Sequence, residues 1–123
     1  MDSVDVMWTP LTATGQMPGA PEGEAHTAER VLYEDDRTEI GIWEVTPGSF
    51  DAVHGPYVEH MHFVAGDALV TGEDGSVYQV RPGRTLTVPA GWSGRWEVRS
   101  TVRKTYVLVR EVGSGAWSSW SSP

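Results

Sequence analysis

The residues best suited to chemistry lie close together near the middle of the chain. The segment HGPYVEHMH, at positions 54–62, holds three of the four histidines, His54, His60 and His62, together with Glu59. Imidazole and carboxylate side chains commonly bind zinc or iron, and they also carry protons near neutral pH. The segment therefore predicts either a metal site or an acid–base pair.

Composition limits both possibilities. The chain has 123 residues, of which 39% are hydrophobic, and this predicts a single domain with one core. Cysteine is absent from the sequence. A thiolate metal site, a disulfide framework and a cysteine nucleophile are thereby excluded, so any metal would need His, carboxylate or Tyr ligands.

Charge and hydrophobicity restrict the partners. The net charge of −8 repels phosphate backbones, so we expect no nucleic-acid partner. The first thirty residues contain no basic stretch followed by an apolar run, and no apolar run reaches membrane-spanning length. We expect a soluble, cytoplasmic protein with no membrane partner.

The pattern that must position these residues is all-β. From Ala28 onward, short runs rich in Val, Ile, Thr and Trp alternate with the turn signals TPGS, TGEDGS, RPGR and PAGWSG. Asp74 and Gly75 predict a tight hairpin. We divide the chain into an extended N-terminal arm (1–27), a β domain (28–111) and a Gly/Ser-rich tail (112–123). The tail carries Trp117 and Trp120, and it is either an unstructured linker or a cover for an apolar groove.

Strand alternation decides which side chains of the central segment share a face. If Glu59 points into the protein, Met61 and Phe63 point inward too, while His60 and His62 point outward. An alternative frame places the His60 and His62 imidazoles inward with Asp67 as an acidic ligand. That frame inverts the whole inward set and exposes Met61 and Phe63.

Four segments together resemble a cupin: GIWEVTPGSF, YVEHMHFVAGDALVTGEDG, RPGRTLTVPAGWSGRWEV and VRKTYVLV. More narrowly, they resemble the small single-domain cupins related to the (S)-ureidoglycine aminohydrolase cupin domain. The resemblance covers residues 38–110. It implies a jelly-roll β-barrel built as a two-sheet β-sandwich, a small-molecule site inside the barrel, and a homodimer.

The resemblance also assigns positions to the metal ligands, which in cupins are three histidines and a glutamate. Glu59 falls on the glutamate and Gly66 on the glycine that follows it as a turn. His54 falls on the second histidine, but Ala52 and Gly94 stand at the other two histidine positions. The resemblance thus implies an incomplete ligand set and no tightly held metal; a weak divalent metal at His54 and Glu59 is the alternative.

Our favoured hypothesis is a metal-independent acid–base enzyme of the isomerase, lyase, cyclase or hydrolase type. Glu59 and His54 are its predicted catalytic pair, with burial favouring a protonated glutamate. The alternatives are a ligand-binding, sensor or accessory cupin without catalysis, and a pair that only hydrogen-bonds to itself. Lys104 binds an anionic substrate group or pairs with Glu59 if it lies inside; otherwise it lies in water at a strand end. Trp96 is predicted to fill the space of the missing ligands. The predicted substrate-binding residues are Trp43, Tyr57, Met61, Phe63, Trp92, Trp96, Lys104 and Tyr106.

Overall fold

A computed structural model describes residues 1–111, and the regular structure in that range consists of eight β-strands without a helix. The strands are β1 (Thr12–Gln16), β2 (His26–Glu34), β3 (Thr38–Val45), β4 (Gly48–Val53), β5 (Tyr57–Gly72), β6 (Val77–Val80), β7 (Thr85–Val88) and β8 (Ser93–Arg110). The all-β prediction is confirmed. Trp117 and Trp120, with the rest of the predicted tail, lie outside the described residues.

The two longest strands, β5 and β8, organise the sheet. They pair antiparallel along most of their length; β8 also pairs with β3 and β4, and β5 pairs with β6 and β7. Strands β1 and β2 continue the sheet beyond β3. Because different strands pair with the two ends of β5 and β8, the sheet bends back on itself and forms a jelly-roll β-sandwich. The predicted hairpin at Asp74 and Gly75 is present between β5 and β6.

Strand β5 contains a bulge at Gly66 instead of the predicted turn. The sequence predicts that the strand ends there, but β5 continues to Gly72 and its register against β8 shifts on both sides of Gly66. Gly66 has φ +101°, and a Cβ at this position would lie 2.5 Å from both the Thr101 carbonyl oxygen and the Val102 Cα. The bulge therefore brings the two backbones too close together for any side chain.

The N-terminal segment packs against its own chain. β1 pairs antiparallel with β2, and a turn at residues 5–9 precedes it. The buried Arg103 guanidinium donates hydrogen bonds to the Val6 and Thr9 carbonyl oxygens, at 2.7 and 2.6 Å. Charge-assisted bonds of this kind fix the segment on the barrel. None of the described residues forms a helix that could cross a membrane.

The strand register sets the inward side chains of β3, β8 and β5 in layers. Because neighbouring strands point their paired residues to the same side, each layer takes one residue from each strand. The layers are Trp43–Lys104–Phe63, Gly41–Tyr106–Met61 and Glu39–Leu108–Glu59. His60 and His62 are exposed on the other face, so the frame with Glu59 inward is confirmed and the alternative frame is wrong.

Candidate functional site

The barrel contains a cavity of about 220 Å³ that is partly open to solvent, which we call the barrel cavity. Most of the side chains predicted for the site line it, and they come from β3, β5, β8 and the segment after β4. They are Trp43, His54, Tyr57, Glu59, Met61, Trp96, Lys104 and Tyr106. The structure thus brings these side chains together around one cavity, although the contacts among them differ from those expected.

Lys104 lies inside the barrel and pairs with Glu59. The Nζ–Oε2 distance is 2.7 Å, and the two side chains are only 7% and 10% exposed. Nζ also lies 4.6 Å from the centre of the Trp43 ring, which stabilises the ammonium by a cation–π interaction. The strand-end location for Lys104 is therefore wrong. The bond from Lys104 occupies Glu59 Oε2, so Glu59 is not the free acid–base group that the sequence predicts.

His54 lies beside this ion pair without bonding to it. Its Nδ1 is 3.7 Å from Glu59 Oε1, which is too far for a hydrogen bond. Nδ1 is fully buried and has no hydrogen-bond partner among residues 1–111. The ring is held by Tyr57 and Trp92, at centroid distances of 5.4 and 5.6 Å. The hydrogen-bonded His54–Glu59 pair is thus absent, because Lys104 bonds to the carboxylate instead.

Burial keeps the His54 imidazole neutral. It lowers the pKa of His54 below 6.5; Glu59 opposes this shift and the Lys104 charge adds to it. A neutral imidazole can accept a proton, whereas only the protonated imidazolium can act as a general acid. His54 is therefore suited to the role of base.

The neutral His54 should make the protein less stable in acid. Since the folded-state pKa lies below the unfolded value of 6.5, the unfolded chain binds an extra proton as the pH falls below that value. The free energy of unfolding should then fall by up to about 1.4 kcal/mol per pH unit. In urea titrations at about pH 7 and about pH 5, the stability advantage of the wild type over His54→Gln should shrink toward the lower pH. An advantage that grows toward the lower pH would show that the folded protein binds that proton more readily instead.

A second polar cluster lies at the Tyr106 end of the barrel cavity. The Tyr106 hydroxyl is 2.7 Å from Glu29 Oε2 and 2.6 Å from Glu39 Oε2, and both glutamates line the cavity. Burial, with the two carboxylates, raises the pKa of Tyr106, so the phenol keeps its proton. That proton can be donated to only one carboxylate at a time.

Gly41 makes this cluster possible. It pairs with Tyr106 across β3 and β8, and a Cβ on Gly41 would lie 2.6 Å from the phenol oxygen and 2.7 Å from the Arg30 carbonyl oxygen. The absence of a side chain lets the phenol reach across β3 to Glu29 on β2. Sequence reasoning missed Glu29 and Glu39. Glu39 could have been found from the sequence, because alternation along β3 places its side chain on the same inward face as Trp43.

A second cavity of about 210 Å³ adjoins the first, and His54, Met61 and Trp96 line both. Trp92 lines this second cavity and not the barrel cavity. Phe63 lines neither: it is fully buried against Trp96, at a centroid distance of 6.1 Å. The prediction that Phe63 contacts substrate is therefore wrong, and Trp92 belongs to the neighbouring space.

The sequence profile of the EutQ-like cupin domain matches residues 32–106. The chain belongs to this cupin family. The cupin prediction and its jelly-roll fold are confirmed. The narrower relation to ureidoglycine aminohydrolase stays a prediction, as do the homodimer and the cytoplasmic location.

Solved structures agree with this assignment. The Clostridium difficile EutQ protein is 18% identical, with a TM-score of 0.63 over 72% of this chain and 71% of that one. A predicted oxalate decarboxylase from Thermotoga maritima is 13% identical, with a TM-score of 0.68 over 89% and 99%. At these identities the two structures show the fold alone. A DUF861 family protein from Thermotoga maritima is 37% identical, with a TM-score of 0.50 over 53% of this cupin and 73% of its own chain. The curated proteins contain no match.

The cupin metal does not fit the residues at the expected ligand positions. Ala52 and Gly94 face each other across β4 and β8, and neither offers a donor side chain. A Cβ on Gly94 would lie 2.4 Å from the Trp92 indole and 2.5 Å from the Thr71 carbonyl oxygen. Trp92, rather than the predicted Trp96, therefore covers the position of the missing histidine.

The remaining donors are too few for a resident metal. His54 and Glu59 would have to share it, and Lys104 already bonds to the glutamate. Within residues 1–111, no group of three His, Cys, Asp or Glu side chains is arranged to hold a metal ion. Zinc and iron sites in enzymes usually take at least three protein ligands. Trp96, the residue predicted to fill the ligand space, stacks on Phe50 instead, at 5.8 Å.

Proposed function

We propose that this cupin binds a small organic molecule in the barrel cavity and transfers a proton on it without a metal ion. The observation that carries the proposal is the free Nδ1 of the neutral, buried His54, next to the Lys104–Glu59 ion pair in the wall of the cavity. Buried polar atoms nearly always have a partner, so an unpartnered one beside a cavity is an expected point of ligand contact.

The geometry suits proton removal next to a carbonyl group. His54 Nδ1 accepts the proton from the carbon atom, and the bonding electrons move to the carbonyl oxygen. Lys104 has three N–H donors, of which one bonds to Glu59. Another stabilises the charge that develops on the oxygen. Return of the proton to a neighbouring carbon completes an isomerisation, and loss of a neighbouring leaving group completes an elimination.

A non-catalytic binder is the second candidate. It is favoured by a contact that His54 lacks: catalytic imidazoles are usually oriented by a hydrogen bond to a carboxylate, and Glu59 Oε1 lies 3.7 Å from His54 Nδ1, too far to accept one. In this case His54 and Lys104 only recognise the ligand.

Proton exchange in D₂O separates the two candidates. The wild-type protein is incubated with acetone, pyruvate and aminoacetone, and loss of the C–H signal is followed by proton NMR. We expect protein-dependent exchange on at least one compound, and a decrease of about 10²- to 10⁴-fold in His54→Asn. Saturation transfer in the same samples reports binding.

The matched control is His60→Asn, which removes an exposed imidazole from the outer face of β5. It should exchange protons at the wild-type rate. Binding without exchange would favour the non-catalytic binder. Exchange that survives in His54→Asn would refute the role of His54 as the base.

A further inference from the structure

The acidic groups of the barrel cavity are not balanced by its cations. Glu29, Glu39 and Glu59 line the cavity together with a single lysine, Lys104. His54 adds no positive charge, because it is neutral. A small cavity with excess negative charge attracts a cation more strongly than a neutral or anionic molecule.

The ion pairs identify the glutamate that carries the excess. Glu59 is paired with Lys104, and Glu39 with Arg110 at 2.5 Å. Glu29 takes part in none of the ion pairs found among residues 1–111, and the one hydrogen bond found there for its side chain comes from the Tyr106 hydroxyl. That hydroxyl is shared with Glu39, so Glu29 keeps acceptor capacity that no cation in the described part of the chain uses.

A second observation at the same cavity indicates a ligand. The His54 side chain is 8% exposed, and its Nδ1 has no partner in the described part of the chain. His54 and Glu29 both line the barrel cavity, and so do Lys104 and Tyr106, whose side chains contact Glu59 and Glu29 respectively. Lys104 Nζ lies 5.8 Å from the centre of the Tyr106 ring, so a short organic molecule can reach both polar clusters.

We infer that the ligand carries a protonated primary amine, bound by Glu29 with Glu39 alongside, and a polar group at its other end for His54 and Lys104. This inference rests on the proposed function and names the ligand class of that site. The cavity of about 220 Å³ has the volume of about seven water molecules, so the ligand is a compact amine rather than a nucleotide or a peptide. An ammonium has N–H donors for both carboxylates.

Three probes of the same length test the charge preference: n-butylammonium, butanoate and 1-butanol. Binding to the full chain is measured by NMR, from the shifts of the Trp43 and Trp96 indole N–H signals, since both side chains line the cavity. We expect n-butylammonium to bind about tenfold more tightly than either other probe. The Glu29→Gln variant should bind it about tenfold more weakly than the wild type does, because the side chain keeps its shape but loses its charge.

Glu97→Gln is the matched control, because it removes the same charge from the exposed face of β8 and should not change the affinity. Tighter binding of butanoate than of n-butylammonium by the wild type would overturn the amine and leave the proposed function standing. Equal affinity of the wild type and a folded Glu29→Gln for n-butylammonium would overturn the role of Glu29. If none of the probes shifts either indole signal, the proposed function fails with the inference.

Discussion

Lys104→Met is expected to lower the free energy of unfolding by about 3–5 kcal/mol at neutral pH, because it leaves the Glu59 carboxylate buried without a cation. Both side chains are at most 10% exposed, so solvent cannot screen the charge that remains. Urea unfolding followed by tryptophan fluorescence measures the loss.

A double-mutant cycle separates the ion pair from simple loss of packing. Lys104→Met combined with Glu59→Gln leaves no buried charge, so it should recover most of the stability lost in Lys104→Met alone. Two results would contradict this view of the pair. One is a loss below about 1 kcal/mol in Lys104→Met, which is the size expected of an exposed pair. The other is strict additivity of the two substitutions.

Gly66→Ala is expected to cost about 3 kcal/mol or more, because it combines an unfavourable backbone conformation with close contact to β8. The new Cβ would lie 2.5 Å from backbone atoms, which cannot rotate away as a side chain can. Separation of β5 from β8 at this point would also disturb the layers that hold Lys104 and Tyr106. Thermal and urea unfolding measure the loss.

Gly75→Ala is the matched control for this substitution. Gly75 also has a positive φ, of +86°, but a Cβ there would have no neighbour within 4 Å. Gly75→Ala should therefore lower the free energy of unfolding only through its unfavourable backbone conformation, by about 1 kcal/mol. Equal losses in the two variants would mean that the contact between β5 and β8 at Gly66 contributes nothing.

Local patterns predicted the faces of the strands but not the partners across them. Alternation along β5 was enough to place Glu59 and Met61 inside and His60 outside, since it needs no knowledge of other strands. The bond between Lys104 and Glu59 depends on β8 lying between β3 and β5, which joins residues 45 positions apart. A single sequence does not contain that register in its local pattern.

The acidic end of the cavity was missed for a related reason. Glu29 begins the charged stretch ERVLYEDDR, which is typical of a solvated strand and turn, and most of its neighbours in that stretch are indeed exposed. Its contact with Tyr106 depends on Gly41, whose missing side chain leaves the space. The Trp92 indole over Gly94 is likewise a tertiary contact, so the sequence showed that a ligand was missing but not what replaced it.

The missing metal ligands and the buried lysine are compatible features of one site. A lysine ammonium beside a cupin metal would repel the cation, whereas beside the Glu59 carboxylate it is stabilised and can in turn stabilise a substrate oxygen. The charge that a metal would bring to the barrel is supplied here by Lys104. We therefore expect the chemistry to persist when metals are removed.

The most direct test uses wild-type protein prepared without an affinity metal. Its proton-exchange rate is measured before and after dialysis against EDTA, and the metal content of both samples is determined by elemental analysis. A metal content far below one ion per chain and an unchanged exchange rate are the predicted results. Near-stoichiometric zinc, iron, manganese or nickel, with exchange lost on dialysis and restored by that metal, would contradict a metal-independent site at His54, Glu59 and Lys104.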